Sequence, residues 1–444
     1  MDETDAAFAD WRSRIARRWH AWKVKCIANW FAELKASVND IKPDLAILMY
    51  STHWGMVASQ PRNGLVNDLM GLGRIVNYFG TEVMTRNPIQ SSRSLMPYRR
   101  MMNMFTLAYG SPVWGIYYGD TDEGNYLAWS ISNMLGQSAL LHGRGKGRKD
   151  FVAWGASGWN MARAGAQPVA NVALLFSACS RDWNKGVSFI EEEFGLAQEL
   201  EALHVPYEFI GDMGLSATRL KKYKLLCLGA SLCLSDADIT AIKDYMAGGG
   251  IVYTAVEAGR CNEYGEARAR WPFEEIKGNF IYRPDMRAEA FCAREAEVGT
   301  IWKFNPDLQA EREYRMKLDR IMSGVVSWRI SAPDTVFTSI WREADGTTAV
   351  HFVNAGGACL KPGDKITSVI PQTPFPPITT DITFSFIGEK VKSAVATSPD
   401  FDGERILDVL DDNYGGTMVV LPKQLLKIYT LVRIKLATDN VSPK

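Results

Sequence analysis

Four times within its first 150 residues the chain passes from a helix-patterned segment to a short apolar, strand-like one. The first helical stretch covers 8–39, where Phe8, Trp11, Ile15, Trp19, Trp22, Ile27 and Phe31 recur at helical spacing, and a buried strand follows at Leu45–Tyr50. NDLMGLGRI then VNYFGTEVM, SLMPYRRMMNMFTLAYG then SPVWGIYYG, and EGNYLAWSISNMLGQ then SALLHG repeat the pattern. Helix-then-strand units of about 30 residues predict a parallel sheet covered by its crossover helices. A closed eight-unit barrel takes about 250 residues, so 1–150 reads as the C-terminal half of a (β/α)8 TIM-type barrel, with the first half missing. Such a half leaves two open sheet edges, an aggregation hazard unless something covers them.

The Gly- and Arg-rich stretch GRGKGRKDFVAWGASGWNMARAGAQP (143–168) marks a boundary, and 151–167 reads as a linker. From Val169 the strands VANVALLFS, VPYEFIG, KLLCLGA and GIVYTAV alternate with the helices VSFIEEEFGLAQELEAL, LSATRLKKY and SDADITAIKDYMAGG. With Gly248-Gly249-Gly250 as a helix stop, 168–262 is expected to be a small doubly wound, flavodoxin-like α/β domain. Residues 263–335 combine the charged helix PDLQAEREYRMKLDRIMSGVV with irregular connections. Beyond Pro333, short alternating strands with turn signals at Asp345-Gly346 and Gly415-Gly416 predict a small antiparallel β-sandwich over 336–444. The fold class expected is therefore α/β multidomain.

The 50 Lys and Arg balance 50 Asp and Glu, a net charge of zero that argues against an electrostatic nucleic-acid binder. GRGKGRK (143–149) lacks the Gly-x4-Gly-Lys-Ser/Thr spacing of a phosphate loop and reads as solvated linker. No apolar run reaches the roughly 18 residues of a membrane span. MDETDAAFADW has neither a basic nor an apolar leader region, so a soluble, cytoplasmic protein without a membrane partner is expected. Cys26, Cys179, Cys227, Cys233, Cys261, Cys292 and Cys359 form no CxxC, and no His stands at metal-ligand spacing. They read as buried free thiols of a reducing compartment, with no metal and no cofactor implied.

The segments LLFSACSRDW, LHVPYEFIGD and YKLLCLGASLCLSDADITAIKDYMAGGGIVYTAVEAG resemble the trimerisation domain of the family 42 β-galactosidase clan, and the final strands resemble its C-terminal domain. The 8–39 helix with PDLAILMY is similar to a helix and strand from the second half of that clan's barrel. The likeness covers most of the chain, is strongest over 165–262, and rests on architecture rather than catalytic motifs. It implies a glycoside hydrolase that cleaves a terminal O-glycosidic bond by carboxylate chemistry. It also implies a saccharide or glycoside substrate and a homo-oligomer, a trimer by the resemblance. The 168–262 domain further resembles the glutamine-amidotransferase-like fold. LCLGASLCLSD has Ser231 at the turn, Cys233 offset and no neighbouring His, so the role implied is assembly rather than catalysis. The sequence departs from the clan in two places. Its fourth-strand acid/base has no counterpart, and where a seventh-strand Glu would stand WGIYYGD carries Tyr117 and Tyr118.

Glycosidic hydrolysis needs two carboxyls, about 5–5.5 Å apart for retention or about 6.5–9.5 Å for inversion, at the C-terminal ends of barrel strands. Glu82 in FGTEVMTRN closes an apolar strand and is followed by Arg86 and Asn87. Burial there would raise its pKa, as a general acid requires; a salt bridge to Arg86 is the plainer alternative. Asp120 ends VWGIYYGD on the next strand, about 4.8 Å away, although it and Asp122 also suit a helix N-cap, the preferred reading of Asp122. His53 and Trp54 follow LAILMYST, where an indole stacks on a sugar face and an imidazole binds a hydroxyl. Tyr118 and His142, also at strand ends, complete the candidate site. Trp114 reads mostly as core, and His20, His204 and His351 as structural. Two other readings stay open: a catalytically degenerate homologue that binds saccharide or only assembles, and two chains that complete each other's open edges.

Overall fold

The computed structural model describes residues 10–52, 56–63, 65–66, 69–83, 92–117, 122–141, 150–159, 165–292, 307–356, 375–412 and 416–437. The first sheet consists of β1 (Leu48–Thr52), β2 (Tyr78–Val83), β3 (Val113–Tyr117) and β4 (Ser138–Leu141), parallel and in that order. Helices α1 (Arg14–Ile41), α2 (Leu69–Gly73), α3 (Ser92–Tyr109) and α4 (Asp122–Met134) precede the strands in turn. A parallel pair needs such a crossover because the chain must return to the same end of the sheet. One face is packed. Phe79 of β2 stacks on Phe105 of α3 with ring centroids 4.0 Å apart, and Arg99 of α3 lies so close to Gly115 that any Cβ there would collide with the guanidinium.

The opposite face meets solvent among the described residues. Leu48 and Leu140 are each 52% exposed, Tyr78 43% and Tyr50 41%. Strands β1 and β4 each have one neighbour, so both edges are open among the described strands and no barrel closes.

Helix α1 begins behind Ser13, whose hydroxyl accepts the Ala16 N–H at 3.1 Å. The expected tryptophan stripe is not its buried face. Ala16, Arg17, His20 and Ala28 are buried, while Ile15, Trp22 and Trp30 are exposed. The reason is what α1 packs on: a polar loop, where Arg17 Nη1 donates to the Tyr264 carbonyl at 2.7 Å. Short α5 (Asp150–Trp154) follows the first sheet.

The second sheet has the order β10 (Phe280–Tyr282), β9 (Ile251–Thr254), β8 (Leu225–Cys227), β6 (Val172–Phe176), β7 (Tyr207–Gly211), parallel throughout. Numbered along the chain this is 2-1-3-4-5, the flavodoxin-like doubly wound order. Helices α6 (Ala178–Trp183), α7 (Phe189–Ala202), α8 (Ala217–Leu220) and α9 (Asp236–Ala247) connect its strands. Ser235 and Asp238 form a capping box at the start of α9, and Gly249 leaves its end at φ 93°. All five residues of β6 are buried, as expected for a strand covered on both faces. The fifth strand, β10, corrects the sequence reading, which placed irregular connections there; three half-exposed residues give no pattern to detect. Helix α10 (Leu308–Ser323), N-capped by Asp307, adds Tyr314, Leu318 and Met322 to the core beneath this sheet.

The remaining strands form two antiparallel sheets. One has the order β11 (Trp328–Ser331), β14 (Ile382–Phe386), β18 (Thr417–Leu421), β17 (Asp408–Asp411). The other runs β16 (Phe401–Ile406), β15 (Val391–Ser398), β19 (Tyr429–Leu436), β13 (Thr348–Asn354), β12 (Val336–Arg342), β5 (Gln167–Pro168). They share a core in which Phe352 and Phe384 lie 5.4 Å apart. The outer face of the larger sheet is covered by α4: Met134 O accepts from Ser339 Oγ at 2.6 Å and Trp341 Nε1 at 2.9 Å. This second cover buries every residue of β13. Strand β5 comes from the end of the expected linker, and β16 was missed because FDGERI is nearly all exposed and alternates nothing.

One side chain binds these layers together. Buried Arg100 of α3 pairs with Glu201 of α7, and its Nη2 donates to Thr338 O of β12 at 2.6 Å. Tyr207 of β7 also donates to Glu201, at 3.1 Å.

Candidate functional site

The strand ends of the first sheet are where the sequence locates its carboxylates. Glu82 lies in β2, where the register aligns it with Thr52 of β1 and Ile116 of β3 in one row at the C-terminal edge. His53, Trp54, Arg86, Asn87, Tyr118, Asp120 and His142 lie outside the described residues. Asp122, read as a capping residue, is the first residue of α4.

Two residues further in along each strand, the register aligns Tyr50, Gly80 and Trp114. Trp114 lies flat enough over Gly80 that a Cβ at that position would collide with the indole. Tyr50 and Trp114 stand 6.0 Å apart with planes 32° from parallel, forming an aromatic pair on the solvent-facing side of the sheet. The core reading of Trp114 is therefore only half right: the ring is half-buried, and its Nε1 has no hydrogen-bond partner among the described residues. The glycine opposite it, flanked by an apolar strand, was the signal available in the sequence.

A second concavity was not anticipated. A cavity of about 500 Å³ opens at the C-terminal ends of β6 and β7, roofed by His20 and Val24 of α1. The chain passes from β6 to β7 on one side and then returns to β8 on the other side of β6; the segment after β8 (Ser235, Asp238) also lines the cavity, and a crevice at such a switch point follows from this topology. Arg181 and Asp182 form its wall in a fork-to-fork pair at 2.9 and 3.0 Å. Arg181 Nη1 also holds Met56 O at 3.0 Å, and Asp182 accepts the Gln60 N–H at 2.9 Å. Burial alone would lower the Arg181 pKa, but the Asp182 carboxylate outweighs it and raises the pKa. Asp212 accepts the Ala178 N–H at 2.9 Å. Burial raises Asp238 and pushes the Cys179 thiol well up, with Asp212 and Asp182 adding to the latter. His20, expected to be structural, faces this cavity edge-on to Trp183 and is lowered by burial. The other two histidines fit their expected role: His204 Nε2 pairs with Ala332 O at 3.0 Å, and His351 Nδ1 with the Tyr429 hydroxyl at 2.9 Å.

Among the described residues no group of three or more His, Cys, Asp or Glu side chains could hold a metal ion, and no helix is long and apolar enough to cross a membrane. The free thiols are not uniformly buried as the sequence suggested; Cys26, Cys179 and Cys261 are half-buried.

No protein-family model matches the chain, and no curated protein matches it. Solved structures do. An α-L-fucosidase isoenzyme 2 from Paenibacillus thiaminolyticus matches with a TM-score of 0.59 at 14% identity, over 92% of this chain and 71% of its own. A GH42 exo-carrageenase from Bacteroides ovatus matches at 0.54 and 12%, over 96% and 57%. A β-galactosidase from Bacillus circulans sp. alkalophilus matches at 0.61 and 9%, over 95% and 68%. The chain thus spans between 57% and 71% of these proteins. A likeness at such identities speaks to architecture: over 94–95% of its length this chain resembles in fold the part of the family 42 β-galactosidases, 68% of their length, that it spans.

Proposed function

We propose that the chain is a carbohydrate-active glycoside hydrolase-like protein that cleaves a terminal O-glycosidic bond, with Glu82 as one catalytic carboxylate and Asp120 as its partner. The observation that carries this reading is the position of Glu82, the penultimate residue of β2, at the C-terminal edge of a parallel sheet in a glycosidase-like fold. Chemistry in βα folds of this kind sits at that edge. The Tyr50–Trp114 pair two residues further in supports it, since aromatic faces stack on the C–H surface of a sugar. His53, Trp54, Arg86, Asn87, Tyr118 and His142 are proposed to bind the glycoside. In this reading 1–150 is half of a (β/α)8 barrel, 168–262 the assembly domain of a homo-oligomer, and 336–444 an accessory β-sandwich.

The test is hydrolysis of aryl α- and β-galactosides, glucosides, mannosides, fucosides and arabinosides by the chain and by Glu82→Gln. A loss of 100-fold or more in kcat/KM is expected, because the amide cannot make the proton transfer or nucleophilic attack that a catalytic carboxylate supplies in the transition state. Unchanged turnover would remove Glu82 from the mechanism. A second reading, a degenerate saccharide-binding or assembly protein, draws on the open β1 and β4 edges. It predicts calorimetric binding of a saccharide with no turnover of any aryl glycoside.

A further inference from the structure

We propose that Cys233 and Cys261 form a reversible dithiol–disulfide site that peroxides oxidise, set at the rim of the crevice beneath α1. This goes beyond the glycosidase reading and does not depend on it. Far apart in sequence, the two residues are held as a parallel β-bridge: Cys261 N–H donates to Leu232 O at 2.9 Å, and Leu234 N–H donates to Cys261 O at 3.1 Å. Bridged neighbours on adjacent extended segments sit about 4.8 Å apart, inside the roughly 4.4–6.8 Å Cα separation that a disulfide spans. Side chains of a bridged pair leave the same face, which puts the Cys233 thiol in position to stabilise a Cys261 thiolate.

The pair is asymmetric. Cys233 is buried at 1% exposure, whereas Cys261 is half-buried. The Cys233 S–H donates to Cys261, and Lys185, Arg17 and Arg260 add positive charge around it. That donated hydrogen bond, aided by these cations, pulls the Cys261 thiol down to about 6, while the same contact and burial push Cys233 up. Cys179 nearby shows the opposite environment, with burial and two carboxylates disfavouring its thiolate. The thiolate is the attacking species, so Cys261 is the nucleophile and Cys233 the resolving thiol.

The step balances with hydrogen peroxide as the oxidant. The Cys261 thiolate attacks one peroxide oxygen, the O–O bond breaks and a sulfenic acid forms; the other oxygen leaves as hydroxide, which takes up from solvent the proton that the Cys261 thiol had released and becomes water. The Cys233 sulfur then attacks the sulfenic sulfur and displaces a second water that carries the Cys233 proton. Two thiols have lost two electrons to the peroxide. The new bond ties the segment after β8 to the loop that holds α1, where Arg17 meets the Tyr264 carbonyl and Arg18 meets Glu266.

The experiment treats the full chain with hydrogen peroxide, blocks the remaining thiols with iodoacetamide and maps the peptides. A Cys233–Cys261 linked peptide that dithiothreitol reverses is expected. Cys261 should react with a thiol reagent at least 10-fold faster than Cys26, the half-buried thiol of α1. Cys233→Ser should leave a dimedone-trappable sulfenic acid at Cys261, Cys261→Ser should abolish both products, and Cys179→Ser should keep the link. A link through Cys179, or Cys261 over-oxidised or untouched in the unaltered chain with no link, overturns the proposal. The mapping of the unaltered chain stands even if a serine variant misfolds.

Discussion

Glu193 on α7 is fully buried, and neither of its carboxyl oxygens has a hydrogen-bond partner among the described residues. It sits against Gly229, where a Cβ would collide with the carboxyl and where the backbone takes φ 46°. Burial, reinforced by the neighbouring Glu192, raises its pKa well above the ordinary carboxylate value, so the folded chain holds the neutral acid. The sign follows from linkage. The folded state binds a proton that the unfolded state has released above about pH 4.3, so stability falls as pH rises through that window. Glu193→Gln keeps the shape and removes the titration. Urea unfolding of the unaltered chain at pH 5 and pH 8 should show a loss of stability at the higher pH that the variant lacks; parallel losses in both would remove Glu193 as the cause. Nothing in the run EEE tells one glutamate from its neighbours, because burial here is decided by a glycine brought close from the turn after β8. The same holds for Cys233 and Cys261, whose pairing depends on chain return and not on spacing. By contrast, Glu82 was legible at the level of its backbone position, since a lone carboxylate ending an apolar strand shows in the sequence itself.

At the scale of elements, what the sequence revealed follows from burial pattern. Strands β1–β4 and β6–β9 are apolar runs separated by helical periodicity, and each lies close to where that pattern predicts. Elements without a pattern stayed hidden: β10 is three residues long, β16 faces solvent, and β5 is two residues borrowed from a linker. Helix α1 was recognised but its orientation was not, because a stripe of tryptophans is the apolar face and yet the helix buries Arg17 and His20 on a polar loop. Contacts between elements are harder still to read, and Arg100 is the case with consequences. Its guanidinium, deep among α3, α7 and β12, is charge-paired to Glu201; burial opposes its charged form, but that pairing prevails and raises its pKa. Arg100→Ala strands a buried carboxylate and should cost about 3–5 kcal/mol in denaturant unfolding. The double change Arg100→Met, Glu201→Leu removes both charges and should recover most of that loss. A double variant as unstable as the single one would show that the Thr338 and Tyr207 hydrogen bonds, rather than the charge pair, hold the junction.

Across the whole molecule the layers differ in how completely they are covered. The second sheet has helices on both faces, and the larger antiparallel sheet has the smaller sheet on one side and α4 on the other. The first sheet has α3 on one side and, among the described residues, solvent on the other. Parallel sheets are ordinarily covered on both faces because their strands are apolar throughout. Here the register sets Leu48, Tyr50, Tyr78 and Leu140 on the face opposite Phe79 and α3, all well exposed. An exposed apolar face of that kind is expected to promote association. Substitutions on it should change association and leave folding alone, since these side chains pack against little within the chain. The pair Leu48→Lys and Leu140→Lys should therefore cut binding of an apolar fluorescent dye at least twofold. It should also weaken concentration-dependent self-association in sedimentation, with the unfolding free energy changed by no more than about 0.5 kcal/mol. If dye binding persists unchanged, the exposed apolar surface of this molecule lies elsewhere, and α1 with Trp22 and Trp30 is the next face to alter. If instead the midpoint falls steeply, those leucines are buried in solution and the first sheet is closed by contacts beyond the described residues.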